Sequence, residues 1–173
     1  EGGEYAATFN GSQSLKTNAN FAIGTDKVSI SFWMKTNQTT EGIFVELSSA
    51  YGNNNAFRAN IFNNKGTMGS HTSAGFNFAL TNSNINDGTW KHIVMINDRS
   101  KSGTNETQIY INKILDYSNS ITDDLSGIFA NYPLFIGQRA GSTTGFNGQI
   151  KFLKIFNYPL STTEITNLFN KTM

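Results

Sequence analysis

An all-β fold, two antiparallel sheets stacked face to face and followed by one short helix, is predicted by three observations. Apolar side chains recur at every second position in several segments, the pattern of strands with one buried face. Clusters of Gly, Asn, Asp and Ser separate those segments and favour tight turns. A capping box, Ser161-Thr-Thr-Glu164, opens an apolar stripe at helical spacing. Many antiparallel strands with one short C-terminal helix indicate a two-sheet sandwich of the jelly-roll type.

The alternation is clearest in Val28–Lys35, which puts Val28, Ile30, Phe32 and Met34 on one face and Ser29, Ser31, Trp33 and Lys35 on the other. Segments 43–47, 56–62 and 76–80 are further strand candidates. Trp90–Asn97 alternates again, with Ile93 and Met95 opposite His92, Val94 and Ile96. Both of its faces carry apolar residues, so it reads as an inner strand. Segments 106–111, 134–136 and 146–156 complete the set. Turn chemistry lies between them at Gly52-Asn-Asn-Asn55, Asn63-Asn-Lys-Gly66, Asn86-Asp-Gly88 and Ser102-Gly-Thr-Asn105. Pro133 and Pro159 are expected at strand margins, because proline cannot donate to a ladder. After the capping box, Ile165, Leu168 and Phe169 share one helical face and must dock on a sheet, since so short a helix is not stable alone. No solenoid-type repeat and no linker divides the 173 residues, so 1–173 is read as a single domain.

Composition narrows the function classes. Cysteine is absent, which removes disulfides and thiolate metal sites. Charged residues make up 14% and the net charge is +1, with no basic stripe along the sequence. Nucleic acid is therefore not an expected partner. No apolar run approaches a membrane span, so membrane insertion is not expected either. The surface must be made polar by Asn, Ser, Thr and Gly, which suits a protein outside the cell or at its surface that meets hydroxylated ligands. The chain begins at Glu1 and reads as a processed or trimmed piece, with any targeting segment out of view.

Four landmarks then fall in order: Tyr5-Ala-Ala-Thr-Phe-Asn-Gly-Ser12, an early strand ending in Phe-Asn-Gly; Val28-Ser-Ile-Ser-Phe-Trp-Met-Lys35; Asp87-Gly-Thr-Trp-Lys-His-Ile-Val94 with Gln108-Ile-Tyr-Ile-Asn-Lys113; and Leu134-Phe-Ile-Gly137 with Phe146–Ser161 and Glu164-Ile165. Together they resemble the laminin-G-like group of the concanavalin A-like lectin/glucanase superfamily, over nearly the whole chain. The resemblance implies a jelly-roll sandwich of two curved sheets. It also implies that Trp90 and His92 are packing residues on an inner strand entered from the Asp-Gly turn. Tyr110, Asn112 and Lys113 would belong to the hairpin partner of that strand.

Three kinds of site have residue requirements that the sequence meets or fails. Retaining glycoside hydrolysis needs two carboxylates about 5–5.5 Å apart. The paired-carboxylate motif of the glucanase branch is absent, and Glu41 and Glu46, five apart, fall on opposite faces of a strand. No catalytic residue is assigned and the chain is not read as an enzyme. Many relatives hold Ca²⁺ between an early and a late Asp; those positions are Asn10 and Lys151 here, and an ammonium repels a cation. Asp26, Asp87, Asp98, Asp123 and Asp124 are the loop carboxylates left for Ca²⁺, and no metal ligand is assigned. A sugar site needs planar amide or carboxylate groups for hydroxyl pairs and an aromatic face for the ring. Tyr51, Asn53, Asn54, Asn55, Arg58, His71, Tyr132 and Arg139 supply those groups in loops, with Tyr51 beside the Asn run as the best cluster. Trp33 and Trp90 lie inside strand patterns and are read as core.

These readings converge on a non-catalytic carbohydrate-binding module, part of a larger surface or secreted protein, whose partner is a glycan. The alternatives are a structural or adhesion domain contacting protein, as in a surface or phage-particle protein, and a glycosidase-like domain without a remaining ligand.

Overall fold

The computed structural model describes residues 5–50, 55–72, 75–101, 106–119, 127–140 and 144–171. In chain order these form β1 (Ala7–Asn10), β2 (Leu15–Lys16), β3 (Lys27–Lys35), β4 (Gly42–Leu47), β5 (Phe57–Phe62), β6 (Lys65–Thr72), β7 (Gly75–Asn84), β8 (Lys91–Asp98), β9 (Thr107–Ile111), β10 (Ile114–Asn119), β11 (Leu134–Ile136), β12 (Asn147–Phe156) and the helix α1 (Thr162–Lys171). Two six-stranded sheets result, ordered β1-β12-β3-β8-β9-β10 and β2-β11-β4-β5-β6-β7. Adjacent strands are antiparallel throughout.

The period-two reading predicts the core. Val28, Ile30, Phe32 and Met34 of β3 and Ile93 and Met95 of β8 are fully buried between the sheets. Phe44, Val45 and Leu47 of β4, with Phe57, Ala59 and Ile61 of β5, meet them from the other side. Each such side chain contributes roughly 1.5–3 kcal/mol by leaving water. The opposite parity of β8 also finds a use. Val94 and Ile96 form a second apolar cluster with Tyr110, Leu160 and Ile165, beneath α1. One sheet is thus covered on both faces, and its inner strand is apolar on both sides for that reason.

Trp33 and His92 belong to this outer layer rather than to the space between the sheets. The Trp33 ring stacks on Phe169 of α1 at 5.5 Å and lies 5.5 Å from the His92 ring. Trp90 is half-buried. The helix starts as its capping box predicts: Ser161 Oγ accepts from the Glu164 amide at 3.3 Å, and the Ser161 amide donates to Glu164 Oε2 at 2.8 Å. The Ser161 hydroxyl also donates to Glu164 Oε2 at 2.6 Å, and this bond, with that from the Ser161 amide, holds the Glu164 carboxyl below the usual range. Ser161→Ala is expected to lower the unfolding free energy by about 1 kcal/mol, measured by chemical denaturation, because one amide of the first turn loses its acceptor.

The Asp87-Gly-Thr entry to β8 is a side-chain-closed turn. Asp87 Oδ1 accepts from the Thr89 amide at 3.0 Å, and Oδ2 accepts from Lys91 Nζ at 2.7 Å. The Lys91 bond, first among these, drives the Asp87 carboxyl far below its ordinary value. Gly88 takes a φ of 73°, a conformation that costs a side chain.

Three strands went unpredicted. β2 is two residues long, β6 is rich in Gly, Ser and Thr, and β10 follows a turn, Asn112-Lys113, that had been counted within the strand region. Asn63-Asn64 and Asn112-Lys113 each place two successive residues at positive φ, the geometry of two-residue hairpin turns. In β6 only Met68 supplies a large apolar core side chain among the described positions, so no alternation was visible.

Candidate functional site

A pocket of about 300 Å³ opens on the outer face of the second sheet, the face opposite the core. Its walls follow from strand parity. Phe57, Ala59 and Ile61 point inward, so Arg58, Asn60 and Phe62 point out. Ladder pairing sets Glu46, Arg58, Gly69 and Phe78 in one row across β4, β5, β6 and β7. Gly69 carries no side chain, so the floor between Arg58 and Phe78 stays open over two strand spacings, about 10 Å. The next row sets Asn60 opposite Thr67, whose hydroxyl donates to Asn60 Oδ1.

One end of the pocket is ionic. Arg139 Nη2 lies 2.6 Å from Glu41 Oε1, and Arg58 Nη2 lies 3.3 Å from the same oxygen. Arg139 Nε approaches Glu46 Oε1 at 3.8 Å. Glu46 is fully buried, and its Oε2 accepts from the Ala140 amide at 2.9 Å. Burial pushes its carboxyl up to about 7, against the opposing pull of the Ala140 amide and the Arg139 charge. The other end is aromatic. Phe62 and Phe78 meet edge to face at 6.1 Å, and 37% and 39% of each residue is exposed.

The expectation that Glu41 and Glu46 face opposite ways is overturned. Glu41 precedes β4, and β4 bulges between Ile43 and Val45, leaving Phe44 as an extra residue. A one-residue bulge flips the parity of everything before it. Phe44 and Val45 both face the core, and the two glutamates reach the same arginine.

The predicted sugar-site residues scatter. Arg58 and Arg139 come together in the pocket. Asn55 sits in a turn at φ 58° and accepts from Arg99 Nη1 at 3.4 Å, while Arg99 lies 3.7 Å over the Phe129 ring. Tyr132 bridges to Phe21 and packs on the main core. His71 pairs with Phe76 in the β6–β7 ladder. Tyr51, Asn53 and Asn54 lie outside the described residues, as do Asp123 and Asp124. Missed altogether were Asn60, Phe62, Thr67 and Phe78. The available signal was an aromatic ring at the polar parity of β5, two residues after Asn60.

The family's calcium positions do not suit a cation here. Asn10 Oδ1 accepts from the Ser12 amide at 3.1 Å and closes a turn, and the Lys151 ammonium lies 4.8 Å over the Trp90 ring. Among the described residues no group of three or more His, Cys, Asp or Glu side chains is placed to hold a metal ion.

Comparison with known proteins places the fold. The heptameric SAP-like pentraxin of Limulus polyphemus superposes with a TM-score of 0.72 at 14% identity, over 94% of this chain and 80% of that one. Domain 4 of a GH43 extracellular arabinanase from Geobacillus stearothermophilus, solved with arabinotriose, gives 0.71 at 20% identity, over 94% and 75%. The ligand-binding domain of botulinum neurotoxin serotype D, solved with N-acetylneuraminic acid, gives 0.65 at 17% identity, over 98% of this chain and 47% of that one. No protein of curated function matches in sequence. A laminin-G family model matches residues 9–166, and with the two-sheet sandwich it shows that the chain belongs to the concanavalin A-like lectin/glucanases superfamily.

Proposed function

We propose that the chain is a non-catalytic carbohydrate-binding module whose ligand sits in the pocket between Arg139 and Phe78. The carrying observation is the juxtaposition, on one open sheet face, of an ion-paired Arg–Glu cluster and two half-exposed phenylalanine rings. Planar guanidinium and carboxylate groups bond pairs of hydroxyls, and the ring faces take the C–H patch of a sugar. Both guanidinium groups share the Glu41 carboxylate, which offsets part of their pull on an acidic sugar, so neutral sugars are the ligands tested first. Sugar-bound relatives of the same fold support the reading, as does the placing of the rings within a polar cleft rather than on a flat apolar patch.

A hydrolytic role fits less well. The carboxyl with the raised pKa, Glu46, is fully buried, held by the Ala140 amide and outside the lining of the pocket. A location outside the cell or at its surface accords with such a ligand, and no described helix is long and apolar enough to cross a membrane.

The test is calorimetric titration with neutral oligosaccharides chosen from a glycan array. Phe62→Ala combined with Phe78→Ala is expected to weaken binding roughly tenfold, the loss of about 1.4 kcal/mol of ring stacking. Undiminished binding by that variant moves the site elsewhere, and silence across the neutral glycans of the array removes the function. Turnover of a glycan that disappears in Glu46→Gln would make the domain an enzyme.

A further inference from the structure

The other sheet carries a second arrangement that the pocket does not use. Near the end of α1, Trp90, Trp33 and Phe169 form an aromatic strip with an ammonium at each end. Lys151 Nζ lies 4.8 Å from the Trp90 ring, 5.9 Å from Trp33 and 5.1 Å from Phe152. Lys113 Nζ lies 4.8 Å over Phe169, whose ring stacks on Trp33 at 5.5 Å. Lys113 is exposed, and Lys151, Phe152, Trp90 and Phe169 are half-buried over the buried Trp33 ring, so solvent reaches the strip at its margins.

The backbone is distorted to build it. β12 bulges between Lys151 and Lys154, and Phe152 takes a φ of 54°. A bulky side chain in the left-handed region is strained. The bulge sends Leu153 to the core and leaves Lys151 and Phe152 on one outer face. A regular strand would put those two neighbours on opposite faces. Lysines that merely covered rings would need no such bend.

We infer that the Trp90–Lys151–Phe152 face, extended to Lys113, is a second binding site for an anionic oligosaccharide, one bearing carboxylate or sulfate groups. Sugar rings pack against the solvent-reached parts of Trp90 and Phe152, and the anionic oxygens accept from the two ammonium groups. The ammoniums lie at opposite ends of the Trp33–Phe169 stack, so a ligand meeting both is an oligomer rather than a single sugar. This site is independent of the pocket, because it lies on the other sheet.

The chain's two tryptophans, Trp33 and Trp90, both lie in this strip, whereas phenylalanines line the pocket. Tryptophan emission therefore reports on the strip and leaves pocket binding silent. The probes are a heparin-derived tetrasaccharide, a tetragalacturonate, a neutral tetrasaccharide and a short single-stranded oligothymidylate. Expected is a saturable change in emission with the sulfated probe, the carboxylated probe or both, which assigns the anion. It weakens several-fold as salt rises from about 0.05 M to about 0.3 M. Lys151→Gln and, separately, Lys113→Gln each weaken it roughly tenfold, with the circular-dichroism spectrum unchanged; Lys113 is in an exposed turn, so its variant keeps the fold. No saturable response to either acidic oligosaccharide overturns the site. So does full affinity in both lysine variants, or tighter binding of the neutral sugar or the oligothymidylate.

Discussion

Phe44→Ala is expected to lower the unfolding free energy by about 3–5 kcal/mol, the largest loss for any single truncation argued from this fold. Phe44 is fully buried and lies where the sheets face each other. Its ring centroid is 5.2 Å from Phe32 of β3 and 5.1 Å from Phe146, which in turn lies 6.2 Å from Phe9 of β1. Truncation leaves a cavity that rigid strands on both sides cannot close, and it removes two ring–ring contacts worth about 0.5–1.5 kcal/mol each. The residue is also the extra one in the β4 bulge, so its anchoring helps to keep Glu41 and Glu46 on one side. Urea unfolding measures the loss. As a contrast, Leu115→Ala, at a residue 46% exposed, is expected to stay within about 0.5 kcal/mol of the parent. Equal losses for the two would mean that the ring cluster is not the centre of the core.

The second large effect is a pair of opposed pH dependences. His92 is buried, with Nε2 2.9 Å from Ser31 Oγ, and burial, aided by the Lys154 charge, lowers its pKa from 6.5 to about 4. Between those values the unfolded chain takes up a proton that the folded one refuses, so this group's contribution to stability falls as pH drops from 6.5 towards 4. At 1.36 kcal/mol per unit the whole change is about 3 kcal/mol. Glu46 does the reverse. Its pKa rises from 4.5 to about 7, so the folded chain keeps a proton that the unfolded one releases, and stability falls as pH rises through that window, again by about 3 kcal/mol. From pH 5 to 6.5 the two slopes cancel, and the parent is expected to be nearly flat. His92→Gln should expose the Glu46 slope, losing stability as pH rises. Glu46→Gln should expose the His92 slope, gaining stability over the same range. Denaturant midpoints at several pH values decide the matter, and two variants as flat as the parent would refute both assignments.

Much of the architecture was legible because burial imposes a period on the chain. Val28–Met34 and Trp90–Asn97 alternate, and the structure buries the predicted side chains. The capping box marked the helix start because unpaired amides there need a side-chain acceptor wherever the helix docks. Of the pocket, only Arg58 and Arg139 were read in advance, from residue type alone. Phe62 and Phe78 escaped because a phenylalanine in a strand is more often core than surface, and β6, which separates their strands, carries no visible alternation.

The amino-acid sequence by itself determined a sandwich of antiparallel strands, its inner faces, and the covering helix, because each depends on spacing within one segment. The tertiary structure alone decided where the strands break register. The bulges at Phe44 and at Lys151–Lys154 each change which neighbours share a face, and packing between sheets, not local spacing, sets their position. That one step brings Glu41 and Glu46 to Arg139, and sets Lys151 beside Phe152 under Trp90.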